Sequence, residues 1–199
     1  MSPAVLTALV GFAFVATITP GPNNLMLMSS GANFGYRRTL PHMLGILGGI
    51  WVMALLVGAG LMALFDAFPA LNLVLKVLSV VYLLWLAAKI ATAAPIEARD
   101  ARSRPMTTLQ AAAFQWVNPK AWAMCMSAVT LYAPHHSLGS VAIVAGAFAV
   151  VCFPSNSVWA WLGTVVRRWL SNATRLRLFN FTMAGLLVAS LYPVLGFGG

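Results

Sequence analysis

The sequence predicts an all-α integral membrane protein whose chain crosses the bilayer six times. Of its 199 residues, 61% are hydrophobic and only 8% are charged, whereas soluble domains have about 45–50% and 25%. A soluble domain with so few charges could not cover its surface with polar groups, so the composition fits lipid as the solvent. Barrel strands would be about 10 residues long and would alternate in polarity. The apolar residues instead form six long stretches, which predict helices.

The six stretches cover residues 3–34, 42–65, 71–94, 109–132, 138–163 and 178–196. Each is long enough for a bilayer core, which takes about 20 helical residues. No Lys or Arg precedes the first stretch, whereas a cleaved signal peptide begins with a positively charged region. We therefore expect the first stretch to be retained as a helix.

The positive charges lie mainly in one set of alternate loops, which predicts the orientation of the chain. The other loops, around Asp66 and around His135 and His136, contain no Lys or Arg, although Lys76 could reach that side. Cytoplasmic loops carry the excess of Lys and Arg, so both termini are predicted to face outward. A nucleic-acid binder would place its basic residues on a solvated polar face, so the net charge of +9 does not indicate a nucleic-acid partner. The residues on the predicted cytoplasmic side are Arg37, Arg38, Lys89, Arg99, Arg102, Arg104, Arg167, Arg168, Arg175 and Arg177.

Residues 95–108 contain proline, small residues and charges, and they predict a cytoplasmic linker between two halves. The halves, residues 1–94 and 109–199, would each contain three helices. Because three is odd, the second half must insert upside down relative to the first, as in inverted repeats. Local similarity between the halves is limited to two proline motifs, whose prolines Pro22 and Pro119 are 119 − 22 = 97 residues apart.

The first proline motif, Thr19–Asn24, predicts a break in the first helix well inside the bilayer. Its prolines remove backbone donors and clash with the preceding turn. Backbone groups freed at this depth are tolerated where they line a cavity or pack in protein. Two interpretations follow, a kink satisfied by neighbouring helices or a substrate pathway. The candidate pathway residues here are Pro20, Gly21, Pro22, Asn23 and Asn24.

The second motif, Asn118-Pro119-Lys120, predicts the matching break in the fourth helix. Lys120 lies about 16 Å from the start of that helix at 1.5 Å per residue, which is close to the midplane. An intramembrane lysine costs at least about 2.5–3.5 kcal/mol and usually faces a wet interior with a partner. The acidic residues, Asp66, Glu97 and Asp100, all fall in predicted loops. The partner of Lys120 is therefore either a substrate carboxylate or the carbonyls freed by the first break. The alternative is that the amine is uncharged.

A third polar segment, residues 153–157, is predicted to interrupt the fifth helix at Pro154. Ser155 and Asn156 there either line the pathway or satisfy the kink.

Cys125 and Cys152 have no metal or disulfide spacing and are expected to be small buried hydrophobes. His42 could titrate but has no partner that the sequence identifies. Glycines of the second helix are expected to allow close helix packing; they are Gly45, Gly48, Gly49, Gly58 and Gly60. No catalytic triad, carboxylate pair or metal cluster can be assembled, so an enzyme and a cofactor are not expected.

These motifs carry a family resemblance. TPGPNN followed by SS, GYRR and a glycine-rich second helix resembles the LysE/RhtB family of amino-acid exporters, and VNPKAW is similar to that family's second motif. LWLAAKIATAAP and AFQWVNPK are most similar to its cysteine/O-acetylserine branch. The resemblance spans nearly the whole chain and carries the motif positions onto Pro20–Asn24 and Asn118–Lys120.

The resemblance implies a bacterial inner-membrane efflux protein that is driven by an ion gradient, either proton or sodium. Family members often have Asp where Asn23 stands, and without it a cationic substrate has no counter-ion. Charge balance therefore favours a neutral zwitterion such as cysteine, O-acetylserine, threonine or homoserine. A non-transporting scaffold or assembly subunit and a passive small-solute channel are the alternatives, and self-association stays open.

Overall fold

The structure is a computed structural model, and it describes residues 1–92, 104–133, 137–170 and 172–192. Throughout these residues the regular elements are helices. The first stretch forms α1 (Pro3–Ile18) and α2 (Pro22–Phe34), which are bent by 57° at the intervening break. The predicted break in the first helix is therefore confirmed as a feature of the fold.

The second stretch is less regular than predicted. α3 (Tyr36–Leu56) continues through a π-helical turn (Val57–Leu61) into the short α4 (Met62–Ala67). Gly60 has a φ of 100°, a left-handed conformation that a residue without Cβ adopts at little cost. The prediction that this glycine serves helix packing is therefore wrong, because it permits the kink. α5 (Ala70–Ala91) follows.

The fourth stretch is broken as predicted. α6 (Thr108–Phe114) ends in a single 3-10 turn (Gln115–Val117), Asn118 is extended, and α7 (Pro119–Tyr132) begins at the proline. Thr107 and Gln110 form a capping box that fixes the start of α6.

The fifth stretch, α8 (Leu138–Arg167), is one continuous helix with Pro154 inside it. The predicted interruption at residues 153–157 is therefore wrong. A proline removes one backbone hydrogen bond, but this helix extends well beyond it on both sides and packs along α1, α2 and α3. The last stretch forms α9 (Ala173–Ala189), which begins earlier than predicted and includes Arg175 and Arg177.

Close backbone contacts hold α8 to α2 and α3 to α6. A Cβ on Gly31 would collide with the backbone of Ala160, and one on Gly163 with that of Met28. Gly45 and Gly49 approach α6, and Gly58 approaches Val141, as the packing prediction requires. Gly48 has nothing within 4 Å of its Cβ position, so that prediction fails there.

Within the described residues, three helices are long and apolar enough to cross a membrane, and the bent α1–α2 pair would make four. α9 has 17 residues, and α6 and α7 have 7 and 14. The fold is thus an all-helical bundle with membrane-spanning helices, while the count of six and the inverted repeat stay predictions.

Candidate functional site

The break between α1 and α2 exposes backbone carbonyls, and side chains from α2 itself and from two other helices satisfy them. A helix end leaves its last carbonyls without partners. Asn24 Nδ2 on α2 donates to the oxygens of Thr17 and Thr19, at 2.8 and 2.7 Å. Trp159 Nε1 on α8 donates to the oxygen of Ile18 at 3.0 Å. The break is therefore held open by specific hydrogen bonds and not by loop flexibility.

Lys120, the second residue of α7, points its amine at the same carbonyls. Nζ donates to the Thr19 oxygen at 2.5 Å and to the Pro20 oxygen at 3.4 Å. These two oxygens are its polar partners within the described residues. A cation is favourable at the carboxyl end of a helix, where the dipole is negative. Of the two partners that the sequence left open for Lys120, a substrate carboxylate or freed carbonyls, the structure has the carbonyls freed by the first break.

Gly21 provides the room that the lysine occupies. A Cβ at position 21 would lie 2.6 Å from Lys120 Cδ and 3.1 Å from Nζ. The φ of Gly21 is −179°, an extended conformation open to any residue. Glycine is therefore required here for space and not for backbone conformation.

A pair of amide side chains joins the two breaks. Asn23 Nδ2 donates to Gln115 Oε1 at 2.8 Å, and Gln115 Nε2 donates back to Asn23 Oδ1 at 3.1 Å. Gln115 Nε2 also donates to the oxygen of Ala111 at 2.9 Å, and the side chain is fully buried. Asn118 Oδ1 accepts from the backbone N–H of Lys120 at 3.2 Å, capping α7. The polar groups of the two breaks thus form one network across α2, the 3-10 turn and α7.

The remaining predicted residues lie around this network. Ser155 is paired with Thr17, whose hydroxyl oxygen is 2.9 Å from its own. Asn156 Nδ2 donates to Cys152 Sγ at 3.4 Å. Pro22 and Pro119 are the first residues of α2 and α7, where a proline's missing N–H costs nothing.

A small cavity lies between the two breaks. It leaves about 20 Å³ for water-sized molecules, which is room for about one water. In this conformation the cavity is too small for an amino acid. The predicted residues that line the cavity are Gly21, Asn23, Asn24, Asn118, Lys120 and Asn156, and the others include Thr17, Ile46, Ile50, Met124 and Cys152.

Sequence analysis missed several residues that belong to the polar network or line the cavity, among them Gln115, Thr17 and Cys152. Gln115 precedes Asn118 by three residues in an apolar stretch, so its polar amide was a visible signal. Thr17 lies on the same helix face as Ala13, to whose oxygen it donates at 2.7 Å, and a threonine in an apolar helix gives little signal. Cys152 was expected to be a plain buried hydrophobe, but it lines the cavity.

Comparisons with known proteins agree with the family resemblance. The family model for the LysE type translocator matches residues 14–191. The cysteine/O-acetylserine efflux protein of Escherichia coli is 30% identical over 192 residues, which cover 94% of this chain and 96% of the relative. The protein of the same name from Salmonella choleraesuis is 29% identical over 190 residues, with the same coverage. No solved structure matches the chain. With a family model and relatives that cover almost its whole length, the chain belongs to the LysE type translocator family and is a membrane transporter, not an enzyme.

Proposed function

We propose that this protein is a secondary-active exporter of a small zwitterionic amino acid or a closely related metabolite. Cysteine and O-acetylserine, which appear in the names of the relatives, are the first candidates, and threonine and homoserine are the next. The observation that carries the proposal is the amine of Lys120, which meets only backbone carbonyls inside an otherwise apolar bundle.

Lys120 provides the carboxylate site. Its amine is held by neutral acceptors, so a substrate carboxylate would be a stronger partner than either carbonyl. The start of α7 beside it adds the positive end of a helix dipole. Thr19 would keep its bond from Asn24 when the amine turns to the substrate. Binding can therefore exchange partners without leaving that carbonyl unsatisfied.

Asn24 provides an acceptor for the substrate's ammonium group. Both of its hydrogen bonds use Nδ2, and Asn24 lines the cavity, so Oδ1 is the atom that can accept from a substrate there. Asp66 on α4 is the one acidic residue in the described part of the chain, and it does not line the cavity. This site has one lysine and no carboxylate, so the carboxylate of the substrate would balance its charge. A second positive charge on the substrate would have no counter-ion. The site therefore favours a zwitterion over lysine or arginine.

Transport would proceed by rocking of two inverted three-helix halves, residues 1–94 and 109–199, about this site. The packing supports the division, because the broken helix of each half lies on the second helix of the other. α2 packs on α8 and α6 packs on α3, while α3 meets α8 and α5 meets α9. We place the Arg-rich loops in the bacterial cytoplasm and both termini outside, by the excess of Lys and Arg.

Efflux from proteoliposomes tests the proposal. Vesicles loaded with labelled cysteine, O-acetylserine, threonine or lysine are given an imposed proton or sodium gradient. We expect saturable flux of one neutral amino acid and its loss in Lys120→Met. Lys89→Met is the matched control, because Lys89 is exposed on α5 and stacks on Trp85 at 4.7 Å. Preference for lysine, or equal flux in the two variants, would contradict the proposed site.

The same assay separates the two alternatives. A passive channel would give flux that neither saturates nor responds to an ion gradient. A scaffold or assembly subunit would give no flux of any amino acid in protein shown to be folded. Two polar helix breaks joined at mid-depth favour a transporter, since irregular backbone is tolerated in a membrane where it lines a cavity.

A further inference from the structure

His42 is a buried histidine that the structure leaves without a partner. It lies on the inner face of α3 and is 1% exposed. Neither Nδ1 nor Nε2 has a hydrogen-bond partner among the described residues. A buried polar group without a hydrogen-bond partner destabilises the fold. An apolar residue at this position would avoid that cost, so packing alone does not account for the imidazole.

The position of His42 relates it to the candidate site. Ile46 and Ile50, one and two turns further along α3, line the cavity. His42 follows Tyr36, the first residue of α3, by six residues or about 9 Å of helix. It therefore lies between the Arg37–Arg38 end of α3 and the cavity. Its own turn and the facing part of α2 are polar although buried, with Thr39 bonded to Ser30 at 2.9 Å.

No acidic side chain accompanies His42 on the helices that pack against α3. α2, α6, the 3-10 turn and the π-helical turn contain no titratable side chain. α7 contributes Lys120, Cys125 and Tyr132, and α8 contributes Cys152 and Arg167. α3 itself adds Tyr36, Arg37 and Arg38. A proton taken up by His42 would thus meet cations and neutral groups, and no ion pair would hold it.

We propose that His42 binds the proton that is exchanged for substrate, an inference that rests on the proposed exporter function. In water, histidine is the side chain whose ordinary titration falls between pH 5 and 8, so an imidazole that water reaches in the open forms can bind a proton and release it within that range. In the outward-open form, with the substrate gone, the imidazole takes one proton through the cavity. After the return to the inward-open form, it gives that proton to cytoplasmic water before the next substrate carboxylate reaches Lys120.

The assignment also divides two tasks between two residues. Lys120 is engaged with the carbonyls of the first break, where it stands ready for a carboxylate. His42 touches no polar group of that network and can gain or lose a proton without disturbing it. Loss of the imidazole should therefore abolish coupling to protons while substrate binding is retained.

His42→Gln and His42→Met in proteoliposomes test this assignment through two measurements on the same protein. The first is net flux driven by an imposed pH gradient, with a trapped pH dye reporting proton movement. The second is counterflow, the exchange of labelled for unlabelled amino acid with no ion gradient. We expect both variants to lose gradient-driven flux and proton movement and to keep counterflow. Met43→Leu, a volume-conserving change at a buried neighbour, should keep all three.

The outcomes separate this inference from the proposed function. Gradient-driven flux that persists in both His42 variants overturns the inference. So does a loss of counterflow in both folded variants, which would make His42 a structural residue, and so does wild-type flux driven by sodium alone. Absence of counterflow in the wild-type protein for every amino acid tested would instead refute the exporter function itself.

Discussion

Gly21→Ala changes the position of Lys120 without touching it chemically. The new Cβ would lie 2.6 Å from Cδ, whereas carbon atoms pack at about 3.5–4.0 Å, so the lysine chain must withdraw by about 1 Å. Nζ now lies 2.5 Å from the Thr19 oxygen, and a withdrawal of that size takes it past the usual limit of about 3.2 Å. The substitution therefore removes the amine from the place where we propose that the carboxylate binds.

The size of the effect follows from the bond that is lost. A hydrogen bond to a charged group contributes about 1.5–3 kcal/mol, which corresponds to a rise of about 10- to 150-fold in KM for the transported amino acid. Folding should be retained, because the backbone at position 21 is extended and the atoms that the new methyl group meets belong to a flexible lysine side chain. The main loss is thus expected in transport, with a smaller fall in the melting temperature.

A double-mutant cycle in the efflux assay shows whether the effect passes through the lysine. Adding Gly21→Ala to Lys120→Met should change KM no further, since the side chain that it displaces is already gone. Gly11→Ala, on α1 and with nothing within 4 Å of its Cβ position, should transport as the wild type does. Independent, additive losses from the two substitutions would refute the reasoning, as would an unchanged KM in Gly21→Ala.

Three further predictions test the packing and the cavity. Gln115→Leu should lower stability by about 1–3 kcal/mol, seen as a lower melting temperature in detergent, because its half-buried amide partner Asn23 on α2 loses two hydrogen bonds. Gly31→Ala should cost about 1–3 kcal/mol by overpacking, whereas Gly146→Ala, which has open space around its Cβ position, should be neutral. Cys152 lines the cavity. In a variant that keeps it as the single cysteine, a small thiol reagent should label it more slowly when substrate is bound. Cys125, buried outside the cavity, should show no substrate effect.

The sequence predicted the breaks well because the residues that cause them are local. Proline removes a backbone donor and disfavours helical geometry in the residue before it, so the breaks before Pro22 and Pro119 could be located to the residue. Pro154 is the instructive failure. A single proline weakens a helix by one bond, and whether the helix ends there depends on tertiary packing that a linear pattern does not contain.

Long-range pairing was harder to predict than position. The sequence left two partners and an uncharged amine open for Lys120, because carbonyls freed 100 and 101 residues earlier in the chain are not marked by any residue type. The pairing of Asn23 with Gln115 bridges 92 residues and likewise has no local signature. Glycines gave a mixed result, since Gly45 and Gly48 look alike in sequence but only Gly45 contacts α6.

The network assigns different tasks to its lysine and its amides during opening. When Lys120 leaves the first break, Thr19 keeps its bond from Asn24 and the Pro20 oxygen lies at an exposed residue, so the exchange of the amine's partners costs little there. Separating the breaks enough to admit an amino acid instead requires the Asn23–Gln115 pair to part, which removes two hydrogen bonds between neutral groups, worth about 0.5–1.5 kcal/mol each. The amide pair therefore resists opening, and the lysine recognises what enters. Gln115→Leu should then open the cavity more often, so that Cys152 is labelled faster than in the wild type even without substrate, whereas Lys89→Met, at an exposed position on α5, should leave that rate unchanged.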